Sequence, residues 1–208
     1  MRLGPTRGLA GNLTAAPNLV SLTRPLLALA LWGRLAGGGP DVFALPLVAA
    51  AAASDWLDGR LARRYGLESS AGKVVDNLCD LVFLTVALAV MARLHVWSDP
   101  VWGSAVRYWR GANWLPLLAL AFSFGSYSLR WWVSARLHEA MAPSWRGRTA
   151  GVANWILVLL GALALTPHAS PGPWILEPAF VTVALLNVSA ALDNLRLLGA
   201  TLARARRR

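Results

Sequence analysis

Asp55-Trp56-Leu57-Asp58-Gly59-Arg60-Leu61-Ala62-Arg63, followed eight residues later by Gly72-Lys73-Val74-Val75-Asp76-Asn77-Leu78-Cys79-Asp80, places four aspartates within 26 residues. The 208-residue chain has only ten acidic residues, so nearly half of them stand in this one stretch. The sequence on either side is apolar enough to lie in a membrane. Carboxylates in such a setting are costly and are kept where they perform a task. Four that converge require a cation, and a divalent metal ion is the simplest one.

The rest of the composition agrees with a membrane setting. The chain is 56% hydrophobic and 14% charged, more apolar than a soluble core of this size needs. Its length allows one domain, residues 1–208. The net charge of +10 would also suit nucleic acid. The arginines, however, fall between apolar blocks and in a basic tail, residues 198–208, that ends Arg204-Ala205-Arg206-Arg207-Arg208, which is the pattern of an anionic membrane face. No nucleic-acid partner is expected. The single cysteine, Cys79, excludes an intrachain disulfide and a cysteine-built zinc site, and reads as a packing residue.

A helix needs about 20 mostly apolar residues to cross a bilayer. Six stretches qualify: 18–36, 42–63, 73–97, 113–135, 150–166 and 174–197. The fold expected is therefore an all-α integral membrane protein, six transmembrane helices in one bundle. The breaks are rich in glycine and proline, as in Gly37-Gly38-Gly39-Pro40. Trp97, Trp102, Trp109 and Trp174 read as interfacial belt residues. The alanine run 49–53 suits close helix packing. Arg2 and Arg7 before an apolar run resemble a secretion signal, but Arg24 interrupts that run and no cleavage site follows, so it reads as the first span. Six spans put both termini on one side. Arg2, Arg7, Arg60, Arg63, Arg64, Lys73, Arg136, Arg146, Arg148 and the basic tail then share the cytoplasmic face, against Arg34, Arg93, Arg107 and Arg110 on the other, a bias in keeping with the positive-inside rule. The expected location is a cytoplasmic membrane, multi-pass, with the aspartates toward the cytoplasm.

The spacing gives the aspartates a common site. Asp55 and Asp58 are three apart at the end of the second span, and Asp76 and Asp80 four apart at the start of the third, so each pair shares a helical face. A short hairpin, about residues 64–72, brings the two faces together. Oxygen ligands without histidine or cysteine point to magnesium, manganese or calcium, one or two ions. Gly59, Ala62 and Gly72 let a ligand approach the backbone closely, and Arg63 offers a planar guanidinium to phosphate oxygens. Together these describe a pyrophosphate site. The bland alternative is a salt-bridge cluster, with Asp58 on Arg60 or Arg63 and Asp76 on Lys73. Four acids exceed what those bases need.

The pattern D-x2-D-G-x2-A-R-x8-G-x3-D-x3-D resembles that of the CDP-alcohol phosphotransferases (CDP-alcohol phosphatidyltransferases), and every fixed position from Asp55 to Asp80 matches. Pro17-Asn18-Leu19-Val20-Ser21-Leu22-Thr23-Arg24 also resembles the family's opening of the first helix, with the threonine shifted. The resemblance implies that Asp55, Asp58, Asp76 and Asp80 hold two Mg2+ or Mn2+ ions and that Asp80 also acts as the base. It implies that Gly59, Ala62, Arg63 and Gly72 line the cytidine nucleotide, with Asn18 a further contact. It implies CDP-diacylglycerol as donor, an alcohol as acceptor, CMP as product, a role in phospholipid synthesis, and a homodimer.

The acceptor is open. Arg130, Arg136, Arg146 and Arg148 would suit a phosphorylated polyol such as glycerol 3-phosphate or inositol phosphate, but three of them read equally as positive-inside loop residues. Glycerol-phosphate members of the family carry proline after the third aspartate and lysine after the fourth. Asn77 and Leu81 stand there, which keeps a non-phosphorylated alcohol (serine, inositol or a choline-type alcohol) in play. A prenyl-type transferase would have two separate, differently spaced acidic motifs. A cation-binding transporter would spread its acids over several spans, and beyond this cluster the acids inside a span are Glu177 and Asp193, both in the last one. Asp193 and Arg196 are spaced as an ion pair. His95, His138 and His168 lie too far apart in sequence for a metal site, and Ser126 and Tyr127 read as core, with contact to the acceptor as the alternative.

Overall fold

The computed structural model describes residues 16–65, 70–97, 112–139, 141, 144–167, 169 and 171–206. Every regular element among them is helical: α1 (Ala16–Ser21), α2 (Thr23–Leu35), α3 (Ala44–Tyr65), α4 (Ser70–Arg93), a 3-10 turn (Ala112–Trp114), α5 (Leu115–Arg136), α6 (Trp145–Ala164) and α7 (Pro173–Ala205). Only Leu22 separates α1 from α2, so these form six helical rods at the six expected places. Val74–Arg93, Trp145–Ala164 and Trp174–Ala205 are long and apolar enough to cross a membrane, with mean hydropathy 2.0, 1.4 and 1.8.

The helix ends differ from the apolar limits by four residues or more at three places. The third rod stops at Arg93 rather than residue 97, because His95 turns into the left-handed region (φ 54°). Val96 N–H then donates to the Met91 carbonyl and His95 N–H to that of Ala92, closing the helix as glycine usually does. His138 (φ 51°) closes α5 in the same manner. The fifth rod starts at Trp145, five residues early, since its first turn is polar. The Ser144 hydroxyl accepts from Gly147 N–H at 3.1 Å, a side-chain cap on that turn. The sixth continues to Ala205, so most of the basic tail is helical. Apolarity marks what a bilayer can bury, and hydrogen bonding marks where a helix ends.

The chain divides into two compact units, one made of the residues up to Val90 with 162–170, the other of 91–161 with those from Pro171 onward. In the first, α1 and α2 pack against α3. The buried stripes are Ala28, Leu31 and Leu35 on α2, Ala44, Val48 and Ala51 on α3, and Phe83, Leu84, Ala87 and Leu88 on α4. Within the alanine run, Ala51 alone is buried. The α2–α3 turn uses Gly38 (φ 81°) and Gly39 (φ 94°), angles that a side chain would strain. Asp41 fixes the entry to α3: it accepts from Phe43 N–H at 2.6 Å and from Arg34 Nε at 2.9 Å. The Arg34 guanidinium, with that backbone bond, holds the Asp41 carboxyl below the usual carboxylate range.

In the second unit α5 packs against α7. The inner stripe of α7 runs Leu176, Phe180, Val183, Asn187, Ala190, Asn194, Leu198, Thr201, an unbroken three-and-four spacing with polar members. Those polar groups are paired. Asn154 and Asn187 exchange amide hydrogen bonds at 3.2 and 2.9 Å, and Arg130 donates to Asn194 at 3.0 Å. Trp97 is not a belt residue: it is 2% exposed and its ring lies 6.1 Å from that of Phe180. Trp174, 77% exposed, keeps the surface position expected of it, and Trp102 and Trp109 lie outside the described residues.

Candidate active site

In three helices the buried stripe runs on from apolar residues into charged ones. Leu35, Leu31 and Ala28 lead to Arg24 on α2. Ala44, Val48 and Ala51 lead to Asp55 and Asp58 on α3. On α4, Ala87 and Phe83 lead to Asp80 and Asp76, each step three or four residues. The same periodicity that makes the core therefore delivers the charges to one place.

Arg24 is fully buried and contacts all four aspartates. Its Nη1 donates to Asp55 Oδ1 at 3.3 Å and to Asp80 Oδ1. Its Nη2 donates to Asp76 Oδ1 at 2.5 Å and to Asp58 Oδ2. The Ser21 hydroxyl adds a bond to Asp58 Oδ2 at 2.5 Å. The aspartates are graded in depth: Asp55 and Asp76 side chains are 36% exposed, Asp80 24% and Asp58 5%. Arg24 replaces the local pairs considered from sequence. Neither Arg60 nor Arg63 forms an ion pair with Asp58 among the described residues, and the Lys73 side chain lies outside them.

The donor set suits a hard cation. Carboxylate oxygens of Asp55, Asp76 and Asp80 all lie within 4.8 Å of one another. At an effective dielectric of about 20, two unit charges at that spacing repel by roughly 3.5 kcal/mol per pair. Among the described residues one guanidinium stands against these four carboxylates, fewer positive charges than acids. All the donors are carboxylate oxygens, the chemistry of a hard divalent cation such as magnesium, manganese or calcium rather than of a thiolate or imidazole site.

Around this centre Gly59, Ala62 and Gly72 are half-buried and Arg63 is exposed. The Arg63 guanidinium folds back over Gly59, with Nη1 3.4 Å from where a Cβ would stand. Asn18 lies on α1, and its side chain is outside the described residues, as is the link at 66–69. Arg130, Arg136, Arg146 and Arg148 all belong to the second unit. Arg130 is buried on Asn194, with Asp193 and Tyr127 in electrostatic reach. Arg136 and Arg146 are exposed and stack on Trp132 and Trp145 of their own helices, and Arg148 is exposed. Asp193 does not pair with Arg196; it accepts from the Ser144 hydroxyl at 2.7 Å. Ser126 is buried, as expected of a core residue, whereas Tyr127 is only half-buried. His168 lies outside the described residues.

Residues 14–192 match the family model for CDP-alcohol phosphatidyltransferases, which is most of the chain and includes the whole aspartate cluster. The chain belongs to the CDP-alcohol phosphatidyltransferase family. Among its relatives, a cardiolipin synthase (CMP-forming) from Streptomyces coelicolor is 32% identical over 122 residues, 55% of each chain. A CDP-diacylglycerol–glycerol-3-phosphate 3-phosphatidyltransferase from Bacillus subtilis is 29% identical over 100 residues, 41% of this chain and 51% of the relative. A CDP-diacylglycerol–serine O-phosphatidyltransferase from Mycobacterium leprae is 52% identical over 48 residues, 23% of this chain and 16% of the relative. The chain thus spans about half the length of two of these curated relatives and less of the third.

Arg24 and Ser21 are the site residues that motif reading missed. Their signal was present: an arginine in phase with the apolar stripe Ala28, Leu31, Leu35 points inward, where it needs acids.

Proposed function

We propose that this chain is an enzyme of phospholipid synthesis that transfers a phosphatidyl group from CDP-diacylglycerol to an alcohol and releases CMP. The observation that carries the reading is the convergence of Asp55, Asp58, Asp76 and Asp80, from two consecutive helices, inside a family match over residues 14–192. The relatives' names supply CDP-diacylglycerol as donor in two cases and CMP as product in the third.

Asp55, Asp58, Asp76 and Asp80 would hold Mg2+ or Mn2+, two ions in this reading. When bound, such ions neutralise pyrophosphate charge and stabilise the departing CMP. Gly59, Ala62 and Gly72, with little or no side chain, let the nucleotide approach closely, with Asn18 alongside, and Arg63 donates to its phosphates. Asp80 takes the proton of the acceptor hydroxyl. The freed oxygen attacks the β-phosphorus, an O–P bond forms to the phosphatidyl group, and the bond to CMP breaks. The six rods form one membrane domain in the cytoplasmic membrane, with the aspartates facing the cytoplasm and the chain paired as a homodimer.

The acceptor we favour is a phosphorylated polyol, glycerol 3-phosphate or an inositol phosphate, met by Arg130, Arg136, Arg146 and Arg148. Serine is the second reading, favoured by the 52% identity shared with the serine-transferring relative over 48 residues. The test is purified protein with CDP-diacylglycerol and a panel of alcohols, in magnesium against EDTA, with CMP release and lipid mass spectrometry as readouts. One alcohol should give a new lipid and CMP, in magnesium only. CMP release with none of them would reject the transferase, and release undiminished in EDTA would reject the metals.

A further inference from the structure

Arg24 occupies the space between the carboxylates, and it does so incompletely. Its two terminal nitrogens reach four acids, while its buried Nε has no hydrogen-bond partner among the described residues. A buried guanidinium short of one bond is held mainly by charge, so another cation can replace it at lower cost. The same acids are also reachable from outside, since Asp55, Asp76 and Asp80 keep part of their surface open while Arg24 has none.

A divalent ion on these oxygens and the guanidinium beneath them would be like charges a few ångströms apart, sharing one set of counter-charges. A magnesium ion also draws its oxygens in to about 2.0–2.1 Å with near-octahedral directions. Those directions differ from the planar fork that a guanidinium imposes.

We propose that Arg24 is a built-in counter-ion that competes with divalent metal for the four aspartates, so that metal binding releases its guanidinium from them. Arg24 thereby holds the mutually repelling acids together until metal takes them over. This rests on the metal reading of the site given above, and it concerns Arg24, which the aspartate motif does not include.

The experiment is calorimetric titration of the full chain in detergent with MnCl2 alone, for wild type, Arg24→Gln and Arg24→Lys, alongside thermal unfolding in EDTA and in MnCl2. Arg24→Gln should bind Mn2+ tighter by roughly tenfold or more, the scale of coupling between two ligands of one site. Its unfolding midpoint should drop in EDTA and recover in Mn2+ more steeply than that of wild type. Arg24→Lys, which keeps one charge without the fork, should fall between the two and serves if the glutamine variant does not fold. Affinity that is equal to wild type or weaker in a folded variant would overturn the competition while leaving the metal site standing. No Mn2+ binding by any of the three proteins would overturn both.

Discussion

Asp80 and Gly59 sit in the same motif, and their side chains predict different failures. Asparagine at position 80 keeps the shape and one acceptor oxygen for Arg24 but has little basicity. If Asp80 is the base, Asp80→Asn should lower CMP release by 100-fold or more, on the order of a positioned base's contribution, while the unfolding midpoint in detergent stays close to wild type; CMP release near the wild-type rate would remove Asp80 from that role. At Gly59 the nearest obstacle to an added Cβ is the Arg63 guanidinium at 3.4 Å, the free end of a flexible side chain. The helix itself tolerates alanine there and gains about 1 kcal/mol in propensity. If Gly59 lies against the nucleotide, Gly59→Ala should raise the KM for CDP-diacylglycerol by roughly tenfold, about 1.4 kcal/mol, in a protein at least as stable as wild type. An unchanged KM would remove Gly59 from the nucleotide site.

Gly161 and Gly125 contrast two kinds of helix contact. A Cβ on Gly161, in α6, would stand 2.5 Å from Met91 Sδ and 2.7 Å from Trp97 Cη2. The methionine can shift, but Trp97 is buried and fixed against Phe180. Overpacking of this kind costs about 1–3 kcal/mol, against a propensity gain of about 1 kcal/mol. Gly125, in α5, has nothing within 4 Å. Gly161→Ala should thus lower the unfolding midpoint and Gly125→Ala should hold or raise it. Equal shifts in the two would show that the α6 contact is looser than its geometry. The rods themselves were legible in the sequence, because a 3.6-residue apolar repeat is a local property. Their ends were less so, since the His95 and His138 turns depend on which carbonyls the chain can reach.

At the scale of the whole molecule, three rods among the described residues meet the length and apolarity of a span by themselves and six are proposed to cross. Six spans would leave the end of α7 on the side of the aspartates. The native Cys79 is buried, so a cysteine introduced at Arg206 reports with little background. In inside-out membrane vesicles Arg206→Cys should react with an impermeant maleimide, and in right-side-out vesicles it should not. The reverse pattern would invert the orientation, and with it the face that meets the substrates. The sequence by itself determined the helical class, the rod positions, the four aspartates and the family, because each is written in spacings of three, four or seven residues or in a fixed motif. Only the tertiary structure decided that Arg24, 56 residues before Asp80, is the aspartates' shared counter-ion. It alone decided, too, that Trp97 is core and that Asp193 bonds Ser144 rather than Arg196. A partner far away in sequence is chosen by how helices pack, and no local period encodes that choice.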